Sequence, residues 1–94
     1  MSVSLASRVE RIRDHLSVAL SPQQLDVIDD SHLHAGHAGA RDGKGHYTVR
    51  IVSSRFDKLR PMARHQLVYQ AVADMMHTEI HALSIVALAP NEAQ

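Results

Sequence analysis

No cysteine occurs among the 94 residues. That absence removes disulfide staples and a thiol nucleophile. It also removes any thiolate with which this chain alone could hold an iron–sulfur cluster or a structural zinc. A cysteine ligand, where the chemistry needs one, has to come from another molecule. No apolar run approaches the ~20 residues of a membrane-spanning helix. The opening MSVSLASRVERIRDHL lacks the apolar centre of a signal peptide and passes directly into helical periodicity. A soluble, cytoplasmic protein with no membrane association is therefore expected. Net charge is zero with histidine neutral, so the molecule as a whole has no field to steer it toward a polyanion. Glycine is scarce and confined: all four fall at Gly36, Gly39, Gly43 and Gly45.

That confinement marks the stretch needing explanation, Asp29 to His46, DDSHLHAGHAGARDGKGH. It also holds four of the eight histidines, His32, His34, His37 and His46. A connector this long costs ordering entropy, and in compact domains such loops are usually functional or disordered. The length admits one domain over residues 1–94, with an ordered core at about 4–88, the histidine- and glycine-rich loop at 31–45 and a frayed polar tail at 90–94. Charge is uneven despite the neutral total: residues 1–40 carry −2, residues 41–65 carry +5 and residues 66–94 carry −3. The middle third can therefore present a basic face.

In chain order, Leu5, Val9, Ile12 and Leu16 make one apolar stripe of a helix over about 4–19, capped by Ser2 or Ser4 and stopped at Ser21–Pro22. Gln24 to Asp30 reads as a short strand with Leu25 and Val27 on one side. His46 to Ser53 is a second strand, with Tyr47, Val49 and Ile51 alternating against His46, Thr48 and Arg50. It should pair antiparallel with the first across the loop. Residues 54–59 form a turn with Phe56 as a buried anchor, and Pro61 opens a helical region reaching about Met76, broken into two. Val68, Ala71, Val72 and Met75 form its stripe, and Met75–Met76 reads as core filler. Glu79 to Leu88 is a third strand, apolar at nearly every position, hence covered on one face and central or partly shielded on the other. A helical crossover joins the last two strands, so as neighbours they run parallel. The result is an α+β domain whose three-stranded mixed sheet carries its helices on one face.

Several blocks together resemble the BolA family. They are Asp29-Asp30-Ser31-His32-Leu33-His34, Gly45-His46-Tyr47-Thr48-Val49 with Ile51-Val52-Ser53-Ser54-Arg55-Phe56, Arg64-His65-Gln66-Leu67-Val68-Tyr69, and Ile80-His81-Ala82-Leu83-Ser84-Ile85. The resemblance runs from about residue 7 to 88. It implies a fold like a class II KH domain, αββααβ, in agreement with the order just read. It also implies a non-enzymatic role in iron–sulfur cluster assembly and trafficking: a 2Fe–2S cluster shared with a monothiol glutaredoxin, glutathione supplying a thiolate. The implied ligands are a histidine in the first inter-strand loop and a histidine opening the last strand. Ser31-His32-Leu33-His34 matches the loop pattern, making His34 the loop candidate with His32 and His37 as possible substitutes, and His81 matches the other. Two imidazoles on one iron would raise the cluster's potential above that of an all-cysteine cluster. Imidazole binds metal only when neutral, so affinity is expected to fall as pH drops.

The remaining histidines read more plainly: His46 as orienting the strand start, His65 as structural or in contact with a partner, His15 and His77 as surface residues. No Ser–His–Asp set has a nucleophile context, so no enzyme is expected. The competing reading, also implied by the resemblance, is a DNA-binding transcriptional regulator acting in stress response, with Arg50, Arg55, Lys58, Arg60 and Arg64 meeting phosphates. Gly36-His37-Ala38-Gly39 is formally a GxxG, but it lies between strands and not between helices as in nucleic-acid-binding KH domains. A third reading is a zinc or copper module built from His32, His34 and His37. The free protein is expected to be a monomer or a weak homodimer.

Overall fold

The computed structural model describes residues 7–31 and 44–93. Leu5, the proposed caps Ser2 and Ser4, the loop histidines His32, His34 and His37, the GxxG stretch and Gln94 lie outside them. The element order is α1 (Arg8–Leu20), β1 (Gln24–Asp29), β2 (Gly45–Val52), a 3-10 turn (Ser54–Phe56), α2 (Pro61–Ala71), α3 (Ala73–Met76), β3 (Ile80–Leu88) and a second 3-10 turn (Pro90–Glu92). Without the turns this is the αββααβ order expected. The sheet runs β1-β2-β3, with β2 antiparallel to β1 and parallel to β3.

Helix α1 starts later than periodicity suggested. Its N-cap is Ser7, whose Oγ accepts from Glu10 N at 3.1 Å. Ser7-x-x-Glu10 is the sequence signature of such a start, and it overrides the earlier serines. The helix stops at Ser21, held in the left-handed region at φ 43° with its N–H donated to Ser17 O. The break between α2 and α3 falls at Val72.

Ile12, Leu16 and Leu20 of α1 meet Val68 of α2, Val72 at the break and Met75 of α3 over Tyr47, Val49 and Ile51 of the sheet. Phe56 is completely buried in this cluster, as the sequence suggested. All helices thus lie on one sheet face, where β1 contributes the half-buried Leu25 and Val27. The opposite face is open: Asp26, Ile28, Arg50, Ala82, Ser84 and Val86 are exposed.

Two expectations fail here. Strand β3 is not central but an edge strand, and its outer face, with His81, Ala82, Ser84 and Val86, is exposed. The tail is not frayed over residues 90–92. Arg64, 9% exposed at the start of α2, donates to both carboxylate oxygens of Glu92, to Leu59 O at 2.8 Å and to Ala87 O at 3.1 Å. Glu92 in turn accepts from Ala89 N at 2.7 Å, so the turn after β3 is locked to α2.

Candidate functional site

His81 sits at the entry to β3, and a register shift decides where it points. Gly45 pairs with Ile80, but the next residue, His46, pairs with Ala82. His81 is therefore the extra residue of a β-bulge, a device that re-aims a side chain at a strand end. Burial confirms the insertion: Ile80 and Leu83 are buried, while His81 and Ala82 between them are both exposed. Strict alternation would have turned one of the two inward. The bulge sends both to the open face.

On that face His81 meets His46. The ring centres stand 4.9 Å apart, with the planes inclined at 48°. His46 is half-buried, and its backbone is held on both sides. Its N–H donates to Ser31 Oγ at 3.1 Å, and its carbonyl accepts from Asp30 N at 2.8 Å. The end of β1 is itself fixed, since Ser31 N donates to Asp29 Oδ1 at 2.8 Å and Thr48 Oγ1 donates to Asp30 Oδ2. Gly45 makes the close approach possible. A Cβ there would lie 2.5 Å from Tyr47 Oη and 2.7 Å from Ser31 Oγ.

The other side of the site is tied to α1. Gly45 N donates to Glu79 O at 2.9 Å, and the Glu79 carboxylate takes both terminal nitrogens of Arg11 while Arg8 Nε stands 3.7 Å away. The hydrogen bonds from Arg11 hold the Glu79 carboxyl below the ordinary glutamate range against the opposing effect of partial burial, with the charges of Arg11, Arg8 and His15 adding to it. The start of β3 is thus clamped two residues before His81.

Of the residues anticipated as ligands, His81 lies exposed at this site, whereas His34, His32 and His37 belong to residues 32–43, outside those described. Among the described residues no three histidine or carboxylate side chains are grouped to hold a metal. Sequence reasoning assigned His46 to strand orientation and missed this juxtaposition. The signal was present: parallel neighbours place their first residues side by side, and HYTVRIV puts His46 on the face opposite Tyr47.

The basic set divides. Arg50 is exposed on the open face, and Arg55, Lys58 and Arg60 are exposed around the turn before α2. Arg64 does not belong with them. It is buried and spent on the Glu92 junction, which a charge count along the sequence could not reveal.

Comparison with known proteins gives the context. The family model for BolA-like protein matches residues 16–92. SufE-like protein 1, chloroplastic/mitochondrial, of Arabidopsis thaliana is 44% identical over 95 residues, covering 96% of this chain and 26% of that protein. The chain therefore spans about a quarter of that relative's length. The DNA-binding transcriptional regulator BolA of Vibrio cholerae is 41% identical over 83 residues, covering 88% of this chain and 76% of that one. Among solved structures, BolA1 from Arabidopsis thaliana superposes with a TM-score of 0.83 at 37% identity, over 97% of this chain and all of that one.

Proposed function

The chain belongs to the BolA-like family, and from that premise we propose that it is a non-enzymatic iron–sulfur assembly and trafficking factor that shares a 2Fe–2S cluster with a monothiol glutaredoxin. His81 is the fixed ligand and His34 of the loop the second, with His32 or His37 as substitutes; glutathione and the glutaredoxin supply thiolates. The observation that carries this reading is His81 itself, an exposed imidazole aimed off a bulge in a chain with no cysteine. Such a protein cannot own a cluster of this kind, but it can complete one. The Arabidopsis relative carries a domain of this sort within a SufE-like protein, which supports the same direction.

The test is reconstitution with a monothiol glutaredoxin, glutathione, iron and sulfide, followed by visible absorption and circular dichroism. Wild type should give a mixed-ligand spectrum that His81→Ala abolishes and His34→Ala weakens. A spectrum identical to that of the glutaredoxin alone, with wild type and both variants, would remove the proposal.

A second reading has its own support in the name of the Vibrio relative and in the exposure of Arg50, Arg55, Lys58 and Arg60. Here the protein binds DNA through phosphate contacts. Affinity should then fall steeply with salt, and each neutralised arginine should reduce the slope by about one. Arg64 is left out of that surface.

A further inference from the structure

We propose that the outer edge of β1 docks an extended segment of another protein, one that sets a basic residue opposite Asp26 and apolar residues opposite Val27 and Ile28. Both β1 and β3 are edge strands, and main-chain groups left open on an edge are a template for an added strand. The β3 edge is largely closed. Ser53 N donates to Leu88 O, so alternation turns the main chain of Leu83, Ile85 and Ala87 away from β2. From α2, Tyr69 Oη donates to Leu83 O at 3.4 Å and Arg64 Nη1 to Ala87 O at 3.1 Å. On β1, Asp30 N donates to His46 O, so Leu25 and Val27 turn their main chain outward. Arg13 Nη1 donates to Leu25 O at 2.8 Å. Among the described residues nothing takes the N–H or C=O of Val27.

Charge and shape select the occupant. Asp26 and Ile28 face the open side of the sheet, Ile28 52% exposed, and Val27 is half-buried on the helix side. Asp26 lies opposite Arg50 of β2, yet among the described residues it has no ion-pair partner. Asp29 and Asp30 add negative charge along the same strand, while accepting hydrogen bonds from Ser31 N and Thr48 Oγ1. Side chains directly opposed on neighbouring strands interact, and opposite charges or apolar pairs there are favourable. The edge presents carboxylate, apolar, apolar, so its complement is basic, apolar, apolar. A second copy is the wrong occupant. It would bring the same carboxylates, and its α1 packs against β1 as this one does. Two helices about 10 Å across do not fit over strands about 4.8 Å apart. The edge lies two strands from His81, so this docking does not depend on cluster sharing.

The experiment uses the whole chain and two end-blocked synthetic peptides, Thr-Lys-Val-Val-Lys-Thr and Thr-Glu-Val-Val-Glu-Thr, followed by amide-exchange and chemical-shift NMR. As the basic peptide is titrated in, the Val27 amide should come to exchange at least tenfold more slowly, with shifts confined to β1 and its neighbours. The acidic peptide should bind at least tenfold more weakly, and Asp26→Lys should weaken the basic peptide at least fivefold. Val27→Pro removes an N–H that the ladder does not use, so this variant should fold and lose the peptide. Should it fail to fold, amide exchange at Val27 of the wild type decides the matter. No slowing at Val27, equal binding of the two peptides, or shifts centred on β3 overturn the proposal. Slowing at Val27 that follows protein concentration without peptide assigns the edge to a second copy and likewise overturns it.

Discussion

A methyl group at Gly45 tests whether the site depends on close packing between the ends of β1 and β2. The added carbon of Gly45→Ala would lie 2.5 Å from Tyr47 Oη and 2.7 Å from both Tyr47 Cε2 and Ser31 Oγ. Ordinary contacts lie at about 3.5–4.0 Å, so the overlap is about 1 Å on three atoms. Tyr47 is 3% exposed within the core cluster and cannot swing aside without displacing its neighbours. Ser31 can turn, but its hydroxyl then leaves the His46 N–H that it now accepts. Overpacking of this kind costs about 1–3 kcal/mol, and the lost hydrogen bond adds about 1 kcal/mol. A loss of about 2–4 kcal/mol against a total stability of about 5–15 kcal/mol leaves a folded but weakened protein. Urea unfolding should show a lower midpoint with an unchanged slope. The melting temperature should fall by about 10 °C or more, given about 4–8 °C per kcal/mol for a domain of this size. In a Tyr47→Phe background, which removes the nearest of the three atoms, part of the loss should return. A change within about 0.5 kcal/mol, the range of an indifferent surface substitution, would refute the close-packing account.

Phe56→Ala removes a side chain with no exposed surface and should cost about 3–5 kcal/mol in urea unfolding; a loss below 1 kcal/mol would mean that the turn does not anchor the core. Acid should destabilise the fold through Glu79 and Glu92, both held below the ordinary glutamate value by an arginine hydrogen bond. Each binds more protons in the unfolded chain, so its contribution is complete above the ordinary value of 4.5 and is lost as pH falls through the depressed one. In Glu79→Gln and Glu92→Gln this part of the pH dependence should shrink, as followed by unfolding midpoints between pH 6 and about pH 3. Arg64→Lys keeps the charge but not the planar fork, so the Ala89 amide should exchange several-fold faster by hydrogen exchange while the salt slope of any DNA binding stays unchanged.

The order of elements was legible because each period is strong. The alternation Tyr47, Val49, Ile51 and the stripe Val68, Val72, Met75 both mark faces that the structure buries. Phe56 and the antiparallel pairing of β1 with β2 followed from the same logic. What failed is what depends on a single insertion or a distant partner. A run such as Ile80–Leu88 does not announce a bulge, since one extra residue changes the register without changing composition, and small residues on the outer face look apolar in a count. Arg64 resembles its basic neighbours until Glu92, 28 positions away, is folded onto it. His81 was legible as a ligand candidate from its block. That His46 lies beside it was not legible, because the contact depends on which strand lies next to β2.

Placing a candidate ligand histidine on a strand instead of a loop changes when its ordering cost is met. Fixing one residue's backbone costs about 1–2 kcal/mol, and a side chain rich in rotamers costs more. For His81 the backbone part is settled on folding, by the ladder from Ala82 onward and by the clamp of Glu79 onto α1. Binding energy from any ligand of that imidazole then need not be spent on ordering the main chain there. The bulge supplies what a regular strand could not: it takes a position that would alternate into the core and turns it outward without breaking the ladder beyond it. The same clamp links site to fold. As pH falls and Glu79 is protonated, the tie between α1 and the start of β3 weakens at the residue from which the histidine pair is hung.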